Sequence, residues 1–209
     1  MQLPIQRLSR KAKSKDWPEE EFFETIRVTI FIGVLSLLRY FIMEKTGIVL
    51  SGSGGQGVIT AAIILGEAAA IYEDLNAVQT QSYGPEARGG ATRSDVVISE
   101  EPIHYPKVVN PHFLVCLTQE AYNKYSGLIR PGGILLVDSH YTQQATKVDA
   151  HYIELPMYET VMKKIGRPIV FNICMLGAVI GLTDLLKPES VMKSLETRVP
   201  PGYLDMNRQ

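Results

Sequence analysis

Six residues, Gly52-Ser53-Gly54-Gly55-Gln56-Gly57, limit what this chain can fold into more than any others. They follow the apolar run Gly47-Ile48-Val49-Leu50 and precede an apolar stretch that predicts a helix over Val58–Ile71. Strand, glycine turn and helix in that order place backbone N–H groups at a helix amino end, where the helix dipole favours a phosphate. Gly52, Gly54 and Gly57 keep the G-x-G-x-x-G spacing, and four glycines in six residues suit a close approach of backbone to ligand. The plainer reading is a glycine turn needed only for tight packing of strand against helix.

Beyond the turn, segments of two kinds alternate. Strands are predicted at Gly47–Leu50, Ala77–Thr80, Thr92–Ser99, Phe113–Leu117, Gly133–Asp138 and His151–Leu155. Helices are predicted at Val58–Ile71, Gln119–Tyr125, Tyr158–Ile165, Val170–Leu182 and Pro188–Leu195. Phe113-Leu114-Val115-Cys116-Leu117 and Ile134-Leu135-Leu136-Val137 are unbroken apolar runs, as strands buried on both faces require. The expected fold is α/β: a Rossmann-like open sheet, mostly parallel with room for antiparallel additions, and helices on both faces. Thr92–Ser99 is the segment read as half of a hairpin, which would make the sheet mixed. Asp138 ends a strand, where open sheets place residues that face a ligand.

A dinucleotide would need more than the glycine turn. An acid at the end of the second strand should hold the ribose hydroxyls. Here that strand ends in Thr80-Gln81-Ser82, and the nearest acids, Glu73 and Asp74, precede it. The second strand leads instead into a different motif, Gln81-Ser82-Tyr83-Gly84-Pro85-Glu86-Ala87-Arg88-Gly89-Gly90. It should lie on the same sheet edge as the glycine turn. The Arg88 guanidinium is a planar fork suited to phosphate or carboxylate, and Glu86 could brace it. An ordinary turn with a surface ion pair is the bland alternative. Neither motif holds a nucleophile beside a base. The four histidines (His104, His112, His140, His151) lack metal-ligand spacing, and His112, at the start of a buried strand, reads as structural. The site is read as one for binding, with no catalytic residue and no metal ligand.

A formal net charge of -1 over 209 residues gives no positive field to gather nucleic acid. Cys116 and Cys174 lie far apart with no C-x-x-C, so they read as buried thiols in a reducing cytoplasm rather than cluster ligands. Residues 1–42 do not match the rest of the chain. A basic stretch gives way to Glu19, Glu20, Glu21 and Glu24, then to the apolar run Val28–Met43, interrupted by Arg39. That run is short for a bilayer span of about 20 residues. It is read as an extension upstream of a true start at Met43, ahead of an interfacial helix or a membrane anchor. Residues 43–209 are then one domain.

Together the two motifs resemble the gamma subunit, or gamma domain, of 2-oxoacid:ferredoxin oxidoreductases. The resemblance runs from about Met43 to Asn207 and takes in Ile103, Pro106, Pro131-Gly132-Gly133 and the Asn172…Gly177-Ala178 helix. Tyr83–Gly90, with Thr92-Arg93-Ser94-Asp95 after it, is most similar to members that use 2-oxoglutarate. Pyruvate or branched-chain 2-oxoacids are the alternatives within the family. The resemblance implies oxidative decarboxylation of a 2-oxoacid, transfer of the acyl group to coenzyme A and delivery of electrons to ferredoxin. It implies thiamine diphosphate between alpha and beta subunits, and iron–sulfur clusters in the beta or a small ferredoxin-like (delta) subunit. The gamma part holds neither and works in the cytoplasm, packed against alpha and beta near the coenzyme A region. Gly52, Ser53, Gly54, Gly55, Gln56 and Gly57, with Arg88 and Gly89, are therefore expected to face the coenzyme A phosphates. The resemblance also implies a short helix after the point where this chain stops, so its end reads as truncated. The rivals outside the family are a stand-alone NAD- or FAD-binding oxidoreductase and a binding protein anchored through Val28–Met43.

Overall fold

The computed structural model describes residues 45–81 and 90–208. The proposed extension 1–42 and most of the Tyr83–Gly90 motif, with Arg88 and Gly89, lie outside the described residues. Six strands form one sheet: β1 (Thr46–Ser53), β2 (Asn76–Gln81), β3 (Ala91–Ser99), β4 (Phe113–Cys116), β5 (Gly133–Asp138) and β6 (Ala150–Leu155), in spatial order β2-β3-β1-β4-β5-β6. β1, β4, β5 and β6 are parallel neighbours. β3 runs against both β1 and β2, so the sheet is mixed, as the Thr92–Ser99 reading allowed.

β1 continues past its expected end at Leu50 because β3 pairs with it as far as Ser53↔Ala91. The strand therefore passes through Gly52, and the turn proper is only Gly54–Gly57. β2 lies parallel to β1 in direction although β3 separates them. Its last residue, Gln81, shares a row with Ser94 and Leu50. Gln81 and Ala91, which flank the segment between β2 and β3, thus stand on the glycine-turn edge.

Helices cover both faces. One face carries Val49, Val97, Leu114, Cys116, Leu135 and Val137, packed against Ala121, Tyr122 and Tyr125 of α2 (Gln119–Tyr125). Thr118 caps that helix, accepting from the Ala121 N–H at 3.2 Å. The loop after β3 closes the rest of this face. Arg93 Nε and Nη2 donate to the two Asp95 oxygens at 2.6 and 3.0 Å. The same two side chains grip Val108, whose N–H donates to Asp95 Oδ2 at 3.0 Å and whose carbonyl accepts from Arg93 Nη2 at 2.5 Å. Arg93 and Asp95, two of the residues that suggested a substrate subtype, therefore also clamp the structure.

The opposite face is covered by α1 (Val58–Glu67), which is largely apolar because most of its surface is covered, with Thr60 left exposed. It packs on β1, β2 and β3, and outwards against α4 (Phe171–Thr183) and α5 (Pro188–Arg198). A wider π-type turn, Ala68–Tyr72, replaces its predicted last turn. α3 (Met157–Lys164) lies beside α4, and a short α6 (Leu204–Arg208) forms in the last residues, where the sequence reading expected the chain to stop short of a helix. Ile64, Leu65, Leu50 and Leu136 are fully buried, each adding about 1.5–3 kcal/mol of burial.

His112 is structural, as expected. Its Nδ1 accepts the Gly47 N–H at 3.1 Å, and burial together with the nearby Arg130 charge lowers its pKa. Cys116 is fully buried, and burial pushes its thiol up to about 12, against a weaker opposing effect of the Ser51 hydroxyl. Cys174 is only half-buried, a partial departure from the expected pair of core thiols. No helix among the described residues is long and apolar enough to cross a membrane.

Candidate functional site

The glycine turn has a definite shape. Gly55 (φ 89°) and Gly57 (φ 71°) lie in the left-handed region that L side chains rarely adopt. A Cβ on Gly57 would also stand 2.6 Å from Asn172 Nδ2, so the first turn of α4 sits directly on the start of α1. Asn172 Nδ2 donates to the Gly57 carbonyl at 3.3 Å across that contact. No side chain among the described residues caps α1, which leaves its first-turn N–H groups directed out of the sheet edge. Gly54 and Gly55 are exposed, whereas Ser53 and Gln56 are half-buried.

Gln56 folds back over the turn. Its Oε1 accepts the Ser53 N–H at 2.8 Å and lies where only a glycine at 52 leaves room, since a Cβ there would be 2.5 Å away. Gly52 is thus required for packing, with Val58 and Leu117 also within 3.2 Å of that position.

Beside the turn a cleft of about 440 Å³ opens, lined by Gly55, Gln56, Tyr141, Tyr158, Arg167, Pro168, Ile169, Phe171 and Tyr203. Each wall has a local cause. β5 ends at Asp138, which is fully buried. Its Oδ1 accepts the His140 N–H at 3.0 Å and its Oδ2 the Tyr158 N–H at 2.8 Å. Asp138 therefore does not face a ligand, as its strand-end position suggested. It fastens the post-β5 turn to the amino end of α3.

That fastening brings His140, Tyr141, Tyr158 and Phe171 into one ring cluster. Tyr158 stacks on His140 with centroids 4.6 Å apart, and meets Tyr141 edge-on at 4.9 Å and Phe171 at 5.9 Å. Burial, with a hydrogen bond and charge from Tyr158, pushes the Tyr141 phenol up to about 12, so it stays a neutral hydroxyl. Pro168 then starts the helical turn that leads into α4. Arg167, just before it, is exposed into the cleft and is the charged residue among the described cleft-lining side chains.

The amino ends of α1, α3 and α4 therefore meet at one place with a guanidinium beside them. That electrostatic setting favours an anion, and the rings and Ile169 favour a flat or apolar group. Of the expected site residues, the six of the glycine turn are together at this edge, with Gly55 and Gln56 in the cleft wall. Arg167 and the aromatic wall were missed by the sequence reading. The available signal was Gly166-Arg167-Pro168, a turn ahead of an apolar helix.

The dinucleotide alternative loses its acids. Glu73 accepts the Lys187 N–H at 2.9 Å and the Ser190 hydroxyl at 2.6 Å, and so anchors the start of α5. Burial would raise its pKa, but these hydrogen bonds and the Lys187 charge outweigh that and lower it. Glu73 and Asp74 also precede β2, at the sheet edge away from the glycine turn.

A sequence model of the family described as pyruvate ferredoxin/flavodoxin oxidoreductase matches residues 47–209. The chain is 51% identical over 160 residues to the 2-oxoglutarate synthase subunit KorC of Methanocaldococcus jannaschii, covering 76% of this chain and 86% of that protein. Pyruvate synthase and ketoisovalerate oxidoreductase subunits of Methanothermobacter marburgensis are more distant, at 33% and 35% identity. The structure resembles the gamma subunit of a keto/oxoacid ferredoxin oxidoreductase from Geobacter sulfurreducens, with a TM-score of 0.71 and 42% identity, covering 78% of this chain and 92% of that one. It shares its fold with part of the 2-oxoglutarate:ferredoxin oxidoreductase of Magnetococcus marinus, solved with 2-oxoglutarate, coenzyme A and succinyl-CoA bound. That likeness has a TM-score of 0.70 and 19% identity, over 79% of this chain and 29% of that one.

Proposed function

The chain belongs to the pyruvate ferredoxin/flavodoxin oxidoreductase family, and on that basis we propose how its carboxyl-edge cleft serves the enzyme. It is the gamma subunit of a 2-oxoglutarate:ferredoxin oxidoreductase, one chain of a multisubunit complex. The reaction assigned to that complex converts 2-oxoglutarate and coenzyme A to succinyl-CoA and carbon dioxide, with electrons passed to ferredoxin.

In this reading the decarboxylation chemistry belongs to partner alpha and beta subunits, which hold thiamine diphosphate between them. The iron–sulfur clusters sit in the beta or a delta subunit. The donor chemistry here fits that division. Cys116 is a fully buried thiol with its pKa pushed up to about 12 by burial, and burial raises that of Cys174 too. Neither favours the thiolate that a cluster requires. The place of work is the cytoplasm, where coenzyme A and ferredoxin meet.

The chain's own contribution is to bind and orient coenzyme A. The glycine turn after β1, Gly54–Gly57, faces the phosphates, and Arg88 and Gly89 serve the same group. Arg167 supplies a guanidinium to the same anionic group, while the tyrosine wall flanks the flat end of the cosubstrate. The observation that carries this reading is the meeting of the glycine turn, three helix amino ends and Arg167 around one cleft.

In the assembled complex, Arg167→Ala is expected to raise the KM for coenzyme A about tenfold, with a similar rise for Arg88→Ala. One charge-assisted hydrogen bond is worth about 1.5–3 kcal/mol, and about 1.4 kcal/mol is a factor of ten. Unchanged KM in both variants, with assembly intact, would sink the coenzyme A reading.

A further inference from the structure

The Gln56 side chain already accepts one of the backbone N–H groups beside the glycine turn. Its carboxamide oxygen is 2.8 Å from the Ser53 N–H, and the side chain forms part of the cleft wall. The Gln56 N–H in turn donates to the Ser53 carbonyl at 3.3 Å, so the turn closes on itself. Nothing but the missing side chain at Gly52 permits this, because the oxygen lies 2.5 Å from where a Cβ would be. The Ser53 N–H, at the end of β1 where the turn begins, is therefore already satisfied by a neutral acceptor, and the residue that supplies it lines a cleft whose guanidinium and helix amino ends favour an anion.

We propose that Gln56 is an internal stopper that sets the specificity of this cleft. A ligand must displace the carboxamide from Ser53 before it can use that N–H. A neutral carbonyl or hydroxyl offers no gain over the amide it replaces. A phosphate oxygen does, since a charge-assisted hydrogen bond is roughly twice as strong as a neutral one. The arrangement selects phosphate-bearing ligands and rejects neutral ones without a clash. This inference rests on the reading that the cleft faces coenzyme A, and it gives Gln56, named above as facing the phosphates, a role that opposes binding until the phosphate displaces it.

The test uses the assembled complex and the dependence of rate on coenzyme A. Gln56→Ala removes the competitor and is expected to lower KM about three- to tenfold with little change in kcat, the worth of one neutral hydrogen bond. Gln56→Glu keeps the shape and the acceptor but adds a charge that a phosphate must face. It is expected to raise KM more than about tenfold. A rise or no change in KM for Gln56→Ala, alongside a rise for Arg167→Ala, would overturn the stopper and leave the coenzyme A reading standing. No change in any of the three variants would overturn both. If the alanine variant fails to assemble, Gln56→Met, close in size but without the acceptor, takes its place with the same expected fall in KM and the same overturning results.

Discussion

Gly57→Ala is expected to destabilise the chain by about 2–5 kcal/mol, a large share of the roughly 5–15 kcal/mol that holds a typical domain together. Two costs add. Gly57 sits at φ 71°, and a Cβ there costs about 1–2 kcal/mol in the left-handed region. The same Cβ would press on Asn172, 2.6 Å from Nδ2 and 2.7 Å from Cγ, and overpacking of this kind costs about 1–3 kcal/mol. Gly55 separates the two effects. It has φ 89° and nothing within 4 Å of its Cβ position, so Gly55→Ala should show the backbone cost alone. Urea unfolding of both variants measures the difference. Equal losses would mean that the contact between α4 and the start of α1 is not tight, and with it the packing that shapes the cleft.

Asp138→Ala should have an effect of comparable size, about 3 kcal/mol or more. The carboxylate is fully buried and accepts two backbone N–H groups, from His140 and Tyr158. Hydrogen bonds to a charged acceptor contribute about 1.5–3 kcal/mol each, and truncation leaves both donors unsatisfied. The damage should extend to function, because the same two bonds hold Tyr141 and Tyr158 in the cleft wall. Asp138→Asn provides one oxygen and turns an amide group toward the other N–H, so it should fall between wild type and alanine. The expected pattern is loss of stability together with a raised KM for coenzyme A in the assembled complex. A loss below about 1 kcal/mol in Asp138→Ala, under the worth of even one such bond, would show that these bonds do not fix the wall.

Most of the sheet could be read from the sequence because its inner strands are buried on both faces. Phe113-Leu114-Val115-Cys116 and Gly133-Ile134-Leu135-Leu136-Val137 are short, unbroken apolar runs beside turn signals, the pattern of strands covered on both faces. The far end of β1 was missed, since its length is set by pairing with β3 and not by its own residues. The glycine turn was legible as a site for a local reason: unusual backbone geometry demands glycine within a few residues. The rest of the cleft is non-local. Tyr141, Tyr158, Arg167 and Tyr203 come from separate stretches of the chain, and only folding brings them to the turn. Asp138 shows the opposite failure. Its position at a strand end is the same whether a carboxylate serves a ligand or, as here, two backbone donors.

If the edge formed by the glycine turn and the Arg167 turn is the chain's coenzyme A face, the cosubstrate must quieten the backbone there. Amide hydrogen exchange on the assembled complex, with and without coenzyme A, reads this out segment by segment. Residues 53–60 and 167–173 should exchange more slowly once coenzyme A is added, with little change at the start of β2 and the Glu73 anchor on the opposite edge. Protection elsewhere in this chain, with none in those two segments, would place the cosubstrate on another surface and refute the assignment.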